Sequence, residues 1–318
     1  MNHVWYVLLL TFFPALALAQ PDEQEKGGFF GSIAIGGGWT SGKPSQLDVT
    51  DDNKRINSLD ERATRESEGI VLIMGELGYN IVSTGTKISL GNQKCTEISA
   101  VSLTVDQALE HIGTFQASFG FGEKEVWKDP FLVGVEREET DETAYTVGLQ
   151  LQEIAGSGAT ASLTGTRYKV DDDLIGSQYQ ELKRDGTMVT TALSYAFPLG
   201  ENQMIIPCLG VKIDNRDGDS NSSKEAQISL AHTLEMGSWN FATSLSFSQK
   251  EFDKMHPVFH ETREEKGYAV SELISFAEPF GWSGFSINCV ITYDRRDANI
   301  HFYDSDALLV GAGIGYSF

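Results

Sequence analysis

Three clusters in this sequence have residue types that do chemistry elsewhere. Asp171, Asp172 and Asp173 stand in a row, and carboxylate oxygens are what a hard cation such as calcium binds. The row lacks the spaced ligand set of a calcium loop, so a solvated acidic loop is the plainer reading, and no other metal and no cofactor is assigned. His256 and His260 are four residues apart with Glu261 adjacent, a spacing at which two imidazoles on one helix share a metal, but Pro257 opposes that helix. His232 has Ser229 nearby, yet no spacing pins a Ser-His-Asp triad and no Gly-x-Ser-x-Gly elbow occurs. Enzyme activity is therefore not expected. Gly37 to Lys43 has the spacing of a phosphate-binding loop, but Pro44 stands where a Ser or Thr hydroxyl would hold magnesium. Gly311, Gly313 and Gly315 read as alternate small residues of a strand, not as a dinucleotide fingerprint.

The elements that would position these residues are strands. In Trp239 to Gln249 the bulky Trp239, Phe241, Leu245 and Phe247 alternate with Asn240, Ala242, Ser244 and Ser246. The same period of two recurs in Phe115 to Phe121, Tyr145 to Leu151, Ala159 to Val170, Ile205 to Ile213 and Phe285 to Tyr293. Segments of this kind predict about fourteen strands: 29–40, 69–79, 84–91, 98–106, 113–122, 143–153, 159–170, 186–197, 203–213, 226–234, 239–249, 267–276, 283–293 and 307–318. The patterns at 84–91 and 98–106 are the faintest, so twelve strands is the alternative. Several segments are about ten residues long, the length a tilted strand needs to cross a hydrocarbon layer.

The first nineteen residues hold an apolar stretch, Val4 to Ala17, ending in Ala17-Leu18-Ala19. Pro14 and the short length fit a cleaved export signal better than a membrane anchor. A short segment, 20–28, and a single domain, 29–318, follow. The chain carries 45 acidic and 24 basic side chains, a net charge of −21, which excludes nucleic acid as a partner. Cys95, Cys208 and Cys289 are too few and too scattered for a disulfide framework or a thiolate metal site.

Connections alternate between tight ones, such as 154–158, 198–202 and 235–238, and long ones: 41–68, 123–142, 171–185, 214–225, 250–266 and 294–306. These six long connections together carry −15 of the net −21. Short turns on one side and long acidic loops on the other are the rhythm of an outer-membrane barrel with both termini in the periplasm. Alternation alone would also suit a soluble sandwich. The final parity, Leu308, Val310, Ala312, Ile314, Tyr316 and Phe318, is apolar and ends on an aromatic, which looks like the insertion signal read by barrel assembly machinery, with Tyr316 and Phe318 as its key residues. Trp39, Tyr79, Tyr195, Trp239, Trp282 and Tyr316 stand where interfacial aromatic girdles belong. The expected fold is all-β: a transmembrane antiparallel barrel in a bacterial outer membrane.

Trp127-Lys128-Asp129-Pro130-Phe131, Arg184-Asp185-Gly186 and Tyr195-Ala196-Phe197-Pro198-Leu199 together resemble an exported outer-membrane barrel family catalogued as domain of unknown function 2860. The likeness spans most of the chain after the export signal. It implies fold and location, and brings no catalytic or binding residues with it.

The leading expectation is a passive channel for small solutes, with Lys87, Lys169, Lys212, Asp214 and Glu272 as lumen charges. The alternative is a closed structural or interaction barrel displaying acidic loops to lipopolysaccharide-bound divalent cations or to a partner. A third reading, lateral uptake of an apolar ligand, would need a weakly paired strand, for which Gly36 to Gly38 are the hint.

Overall fold

Where one parity is greasy and the other small, strand pairing satisfies the main chain and sends the greasy parity to one side of the sheet. The computed structural model describes residues 27–92 and 100–318. In chain order its strands are β1 (Gly28–Lys43), β2 (Glu66–Ile81), β3 (Thr86–Gly91), β4 (Ala100–Leu109), β5 (Gly113–Trp127), β6 (Glu139–Gln152), β7 (Ala159–Val170), β8 (Gly186–Tyr195), β9 (Phe197–Pro198), β10 (Gln203–Arg216), β11 (Ser223–Met236), β12 (Trp239–Met255), β13 (Thr262–Ala277), β14 (Phe285–Ala298) and β15 (Ser305–Ser317). β8 and β9 pair in succession with β10, so they form one stave broken at Ala196. Every stave runs antiparallel to its neighbours, and β1 pairs with β15 from Ser32–Ser317 to Lys43–Asp306. The result is a closed barrel of fourteen staves, which leaves no open edge for lipid to meet.

Both faint segments are staves, as β3 and β4, so the twelve-strand alternative falls away. The export signal, most of segment 20–28, Cys95 and the start of the 98–106 segment lie outside the described residues. Among the described residues no helix is long and apolar enough to cross a membrane.

One expectation about the connections needs correcting. The acidic stretches at 123–127, 139–142, 250–255, 262–266 and 294–298 are paired strand, not loop. Their charged residues sit on both parities, as in Glu123-Lys124-Glu125, because a wall that has risen past lipid needs no greasy face. Among the described residues, true loops at this end are 44–65, 128–138, 171–185, 217–222, 256–261 and 299–304.

The opposite end is closed by tight turns. Gly237 and Ser238 alone join β11 to β12, and Gly237 has φ of 61°, the left-handed conformation such a two-residue hairpin demands. Both ends of the strand ladder lie here too, since Gly28 faces Asn80 and Ser317 faces Ser32. Gly36 and Gly313 sit opposite each other at the closing seam, where a Cβ on Gly36 would come within 2.4 Å of the Ala312 carbonyl oxygen. They let β1 and β15 approach closely. Gly36 to Gly38 are paired on both sides, so they do not mark a weak point for lateral opening.

Candidate functional site: the inner wall and the loop cap

The register sorts side chains into two faces. Ile33, Ile35, Val147, Leu209, Leu245 and Ile314 belong to the parity that is exposed and apolar, the lipid face of a spanning barrel. Aromatic pairs border this band: Trp239 with Phe276 toward the tight turns, at 4.6 Å between rings, and Phe247 with Tyr268 toward the loops, at 5.3 Å. Eight residues along a tilted strand separate Trp239 from Phe247, which makes the band roughly 20 Å tall. Trp39, Tyr79, Tyr195, Trp239, Trp282 and Tyr316 are all exposed.

The opposite parity lines the lumen with small hydroxyls. Thr146 and Thr166 face each other across β6 and β7 at 3.0 Å, and Ser271 and Thr292 across β13 and β14 at 3.1 Å. Toward the loop end this face becomes ionic. Glu142 is held by Lys124 at 2.9 Å and by Arg216 at 3.3 Å; Arg216 also grips Asp214 at 2.7 Å and lies over the Tyr168 ring. Further round, Glu265 pairs with Arg263 at 3.2 Å and Arg296 at 3.5 Å. Buried charges persist only when paired, and here both signs alternate around the wall.

Three of the five expected lumen charges share this inner face. Lys87 lies 4.2 Å above the Phe30 ring, Lys212 is 3.7 Å from Glu225, and Asp214 is bound to Arg216. The other two do not. Lys169 stands on the parity of the exposed Leu163, above the lipid band, 3.6 Å from Asp171. Glu272 stands on the parity of the exposed Tyr268 and Val270. Inner charges that sequence reading missed, Lys124, Glu142, Arg216, Glu225, Arg263 and Glu265, all lie in stretches read as loop.

The three aspartates are divided among three cations and do not converge on a common point. Asp171 pairs with Lys169, Asp172 with Lys128 at 2.8 Å, and Asp173 with Arg184 at 2.7 Å. Asp173 also caps the short helix α1 (Leu174–Gln178) by accepting from the Gly176 amide. Among the described residues no group of three or more potential metal ligands assembles. Ser229 is on the inner parity of β11 and His232 on the outer one, so the two are not a nucleophile and its base. Gly37 to Lys43 is paired strand with no following helix to cradle a phosphate.

The long loops fold on one another. Ile56, Ile300, Phe302 and Tyr303 form a buried apolar core against which Leu47, Leu59, Phe131 and Phe259 pack. Arg137 is buried at its side, donating to the carbonyls of Gln46, Pro130 and Asn53 and to Asn53 Oδ1, with its guanidinium 4.3 Å above the Trp127 ring. Burial brings its pKa down to about 10, so it stays charged at neutral pH. The Trp127 indole donates to the Asp48 carbonyl, and Arg184 donates to the carbonyls of Trp127 and Lys128. The Gln46 main-chain N–H donates to the Phe302 carbonyl, which ties the first loop to the last. Phe131 and His256 stand with rings 5.0 Å apart. Their loops, β5 to β6 and β12 to β13, are rooted six staves apart in a ring of fourteen, so the contact between them bridges the mouth.

These features define a closed membrane-spanning β-barrel whose long-loop end carries a folded cap. The family described as Protein of unknown function (DUF2860) matches residues 28–317, and this chain belongs to it. No curated protein matches the sequence. Among solved structures, the outer membrane channel DcaP of Acinetobacter baumannii is similar at 12% identity and a TM-score of 0.44, covering 92% of this chain and 98% of its own. Pseudomonas aeruginosa OpdK, solved with vanillate, gives 9% and 0.43 over 91% of this chain and 99% of its own. An anion-selective porin from Comamonas acidovorans gives 9% and 0.43 over 92% and 99%.

Proposed function

We propose that this protein is a passive channel for small solutes in a bacterial outer membrane, delivered there by cleavage of the leader at residues 1–19. The observation that carries the reading is the inner wall. Eight staves leave an interior just filled by side chains and sixteen leave a water channel, so fourteen staves lined by Ser and Thr leave a lumen. The alternating ion pairs at its loop end would set ion preference. Lipid and lipopolysaccharide contact the apolar band and the loops, the tight turns face the periplasm, and barrel assembly machinery reads the strand that ends on Tyr316 and Phe318. The rival reading, a closed structural barrel, would be favoured by a lumen poor in charge. The paired inner charges weaken that support.

Single-channel recording of the refolded protein in a planar bilayer tests the proposal, after its heat-dependent gel mobility has confirmed folding. Stable unitary steps are expected. A folded barrel that conducts in neither the wild type nor a cap-loosened variant would end the channel reading. Within a conducting barrel, Lys212→Glu puts a carboxylate beside Glu225 and Asp214 on the inner face. The reversal potential in a salt gradient should then move toward cation preference; an unchanged value would remove Lys212 from the conduction path.

A further inference from the structure

One polar row lies on the wrong side of this wall. His232 on β11 is registered against Thr243 on β12, and Thr243 against Glu272 on β13. All three occupy the outer parity, among the exposed Leu230, Leu245 and Val270. Along β12, Thr243 is four residues from Trp239 and four from Phe247, so the row runs through the middle of the apolar band. The Thr243 hydroxyl donates to Glu272 Oε2 at 2.5 Å. Among the described residues no hydrogen bond engages the His232 ring.

An ionisable carboxyl facing acyl chains at mid-depth costs free energy, and such groups in a membrane ordinarily face a partner. Copies inserted in one membrane with one orientation can be related only by axes along the membrane normal. A two-fold axis of that kind passing near Thr243 keeps every residue at its depth and reverses the order of the row. Each copy's imidazole then meets the other copy's carboxyl, twice over, with the two Thr243 side chains at the centre. A three-fold arrangement has no such reciprocity, because it sets the row against a different part of the wall.

We propose that β11, β12 and β13 form the interface of a homodimer, held at mid-membrane by two reciprocal His232–Glu272 contacts. The inference needs a membrane-spanning barrel but no conductance, so a barrel that fails to conduct leaves it standing. It is tested by cysteine cross-linking in cells that assemble the protein in their outer membrane, with Cys95, Cys208 and Cys289 replaced by serine. Oxidation of Thr243→Cys should yield a covalent dimer, whereas Val147→Cys on the far wall should yield none. Adding His232→Glu, which sets carboxylate against carboxylate, should lower the cross-linked fraction roughly tenfold, and adding Glu272→His as well should restore it. Heat-dependent mobility checks that each variant folds. The proposal is overturned if Thr243→Cys stays monomeric, as it would under a lipid covering, or links to a different protein or into trimers. Cross-linking indifferent to His232→Glu would overturn it as well.

Discussion

Replacing Arg137 by methionine should unfasten the cap while leaving the barrel intact. Methionine keeps much of the apolar contact with Trp127 but removes every donor, so the buried carbonyls of Gln46, Pro130 and Asn53 lose their partner together. Each buried acceptor left without a donor costs about 1 to 3 kcal/mol, and with some relief from entering water the total is about 3 to 5 kcal/mol. A loop assembly built on one small core does not absorb a loss of that size. The staves do not depend on Arg137, because their free energy comes from a ring of paired main chain and a lipid-facing band. Limited proteolysis should therefore cut within 44–65 and 128–138 at least tenfold faster than in the wild type, with unchanged heat-dependent mobility. Unitary conductance should rise, since the loops that meet at Phe131 and His256 come from nearly opposite sides of the mouth. Wild-type protease resistance in the variant would show that the cap does not hang on Arg137.

The barrel was legible because lipid imposes a rule that the sequence must obey residue by residue. Trp239 to Gln249 cannot alternate as it does and be anything but strand, and its parity gives the face as well. That rule ends where lipid ends. At Glu123-Lys124-Glu125 nothing requires one face to be greasy, so the ladder continues without a signal and the lumen charges of the rim stay hidden. Glu272 and Lys169, expected in the lumen, are a different case. The rule said outward for both, since Glu272 shares its parity with Tyr268, Val270, Ile274 and Phe276, and Lys169 with Leu163. The structure sides with parity, and for Glu272 the exception is the informative part.

The contacts of the cap were not legible. Arg137 reaches partners 84 and 91 residues away, and no local period encodes such contacts. One trace of it did exist. Trp127, Lys128, Phe131 and Arg184, which carried the resemblance to the family, are the residues on which the cap is built: Trp127 is buried, Phe131 packs on the core, and Arg184 holds the carbonyls of Trp127 and Lys128. Two of the three tokens belong to one assembly over the mouth, and the third, Tyr195 to Leu199, lies at the tight-turn end.

Acid should loosen that assembly through His256, a loop residue buried between Phe131, Phe259 and Tyr303. The Val258 amide donates to His256 Nδ1, which leaves the proton of the neutral ring on Nε2, facing the Tyr303 hydroxyl at 3.0 Å. A second proton would have to go on Nδ1, against the Val258 N–H. Burial, aided by the Arg263 guanidinium, pushes the pKa down from 6.5 to about 3. The folded cap therefore binds fewer protons than the open one between those two values, so its stability is full above about pH 6.5 and falls as the pH drops toward 3. The shift corresponds to at most about 4 to 5 kcal/mol. Emission from Trp127, with Trp39, Trp239 and Trp282 replaced by phenylalanine, reports the cap directly, because its indole is buried beneath Arg137. Acrylamide quenching should increase severalfold between pH 7 and pH 4 and reverse on neutralisation. In His256→Gln, whose side chain stays neutral across this range, most of that dependence should disappear. An acid transition of unchanged size in His256→Gln would move its origin to the ion pairs of the rim, where Glu142 and Glu265 each hold two cations.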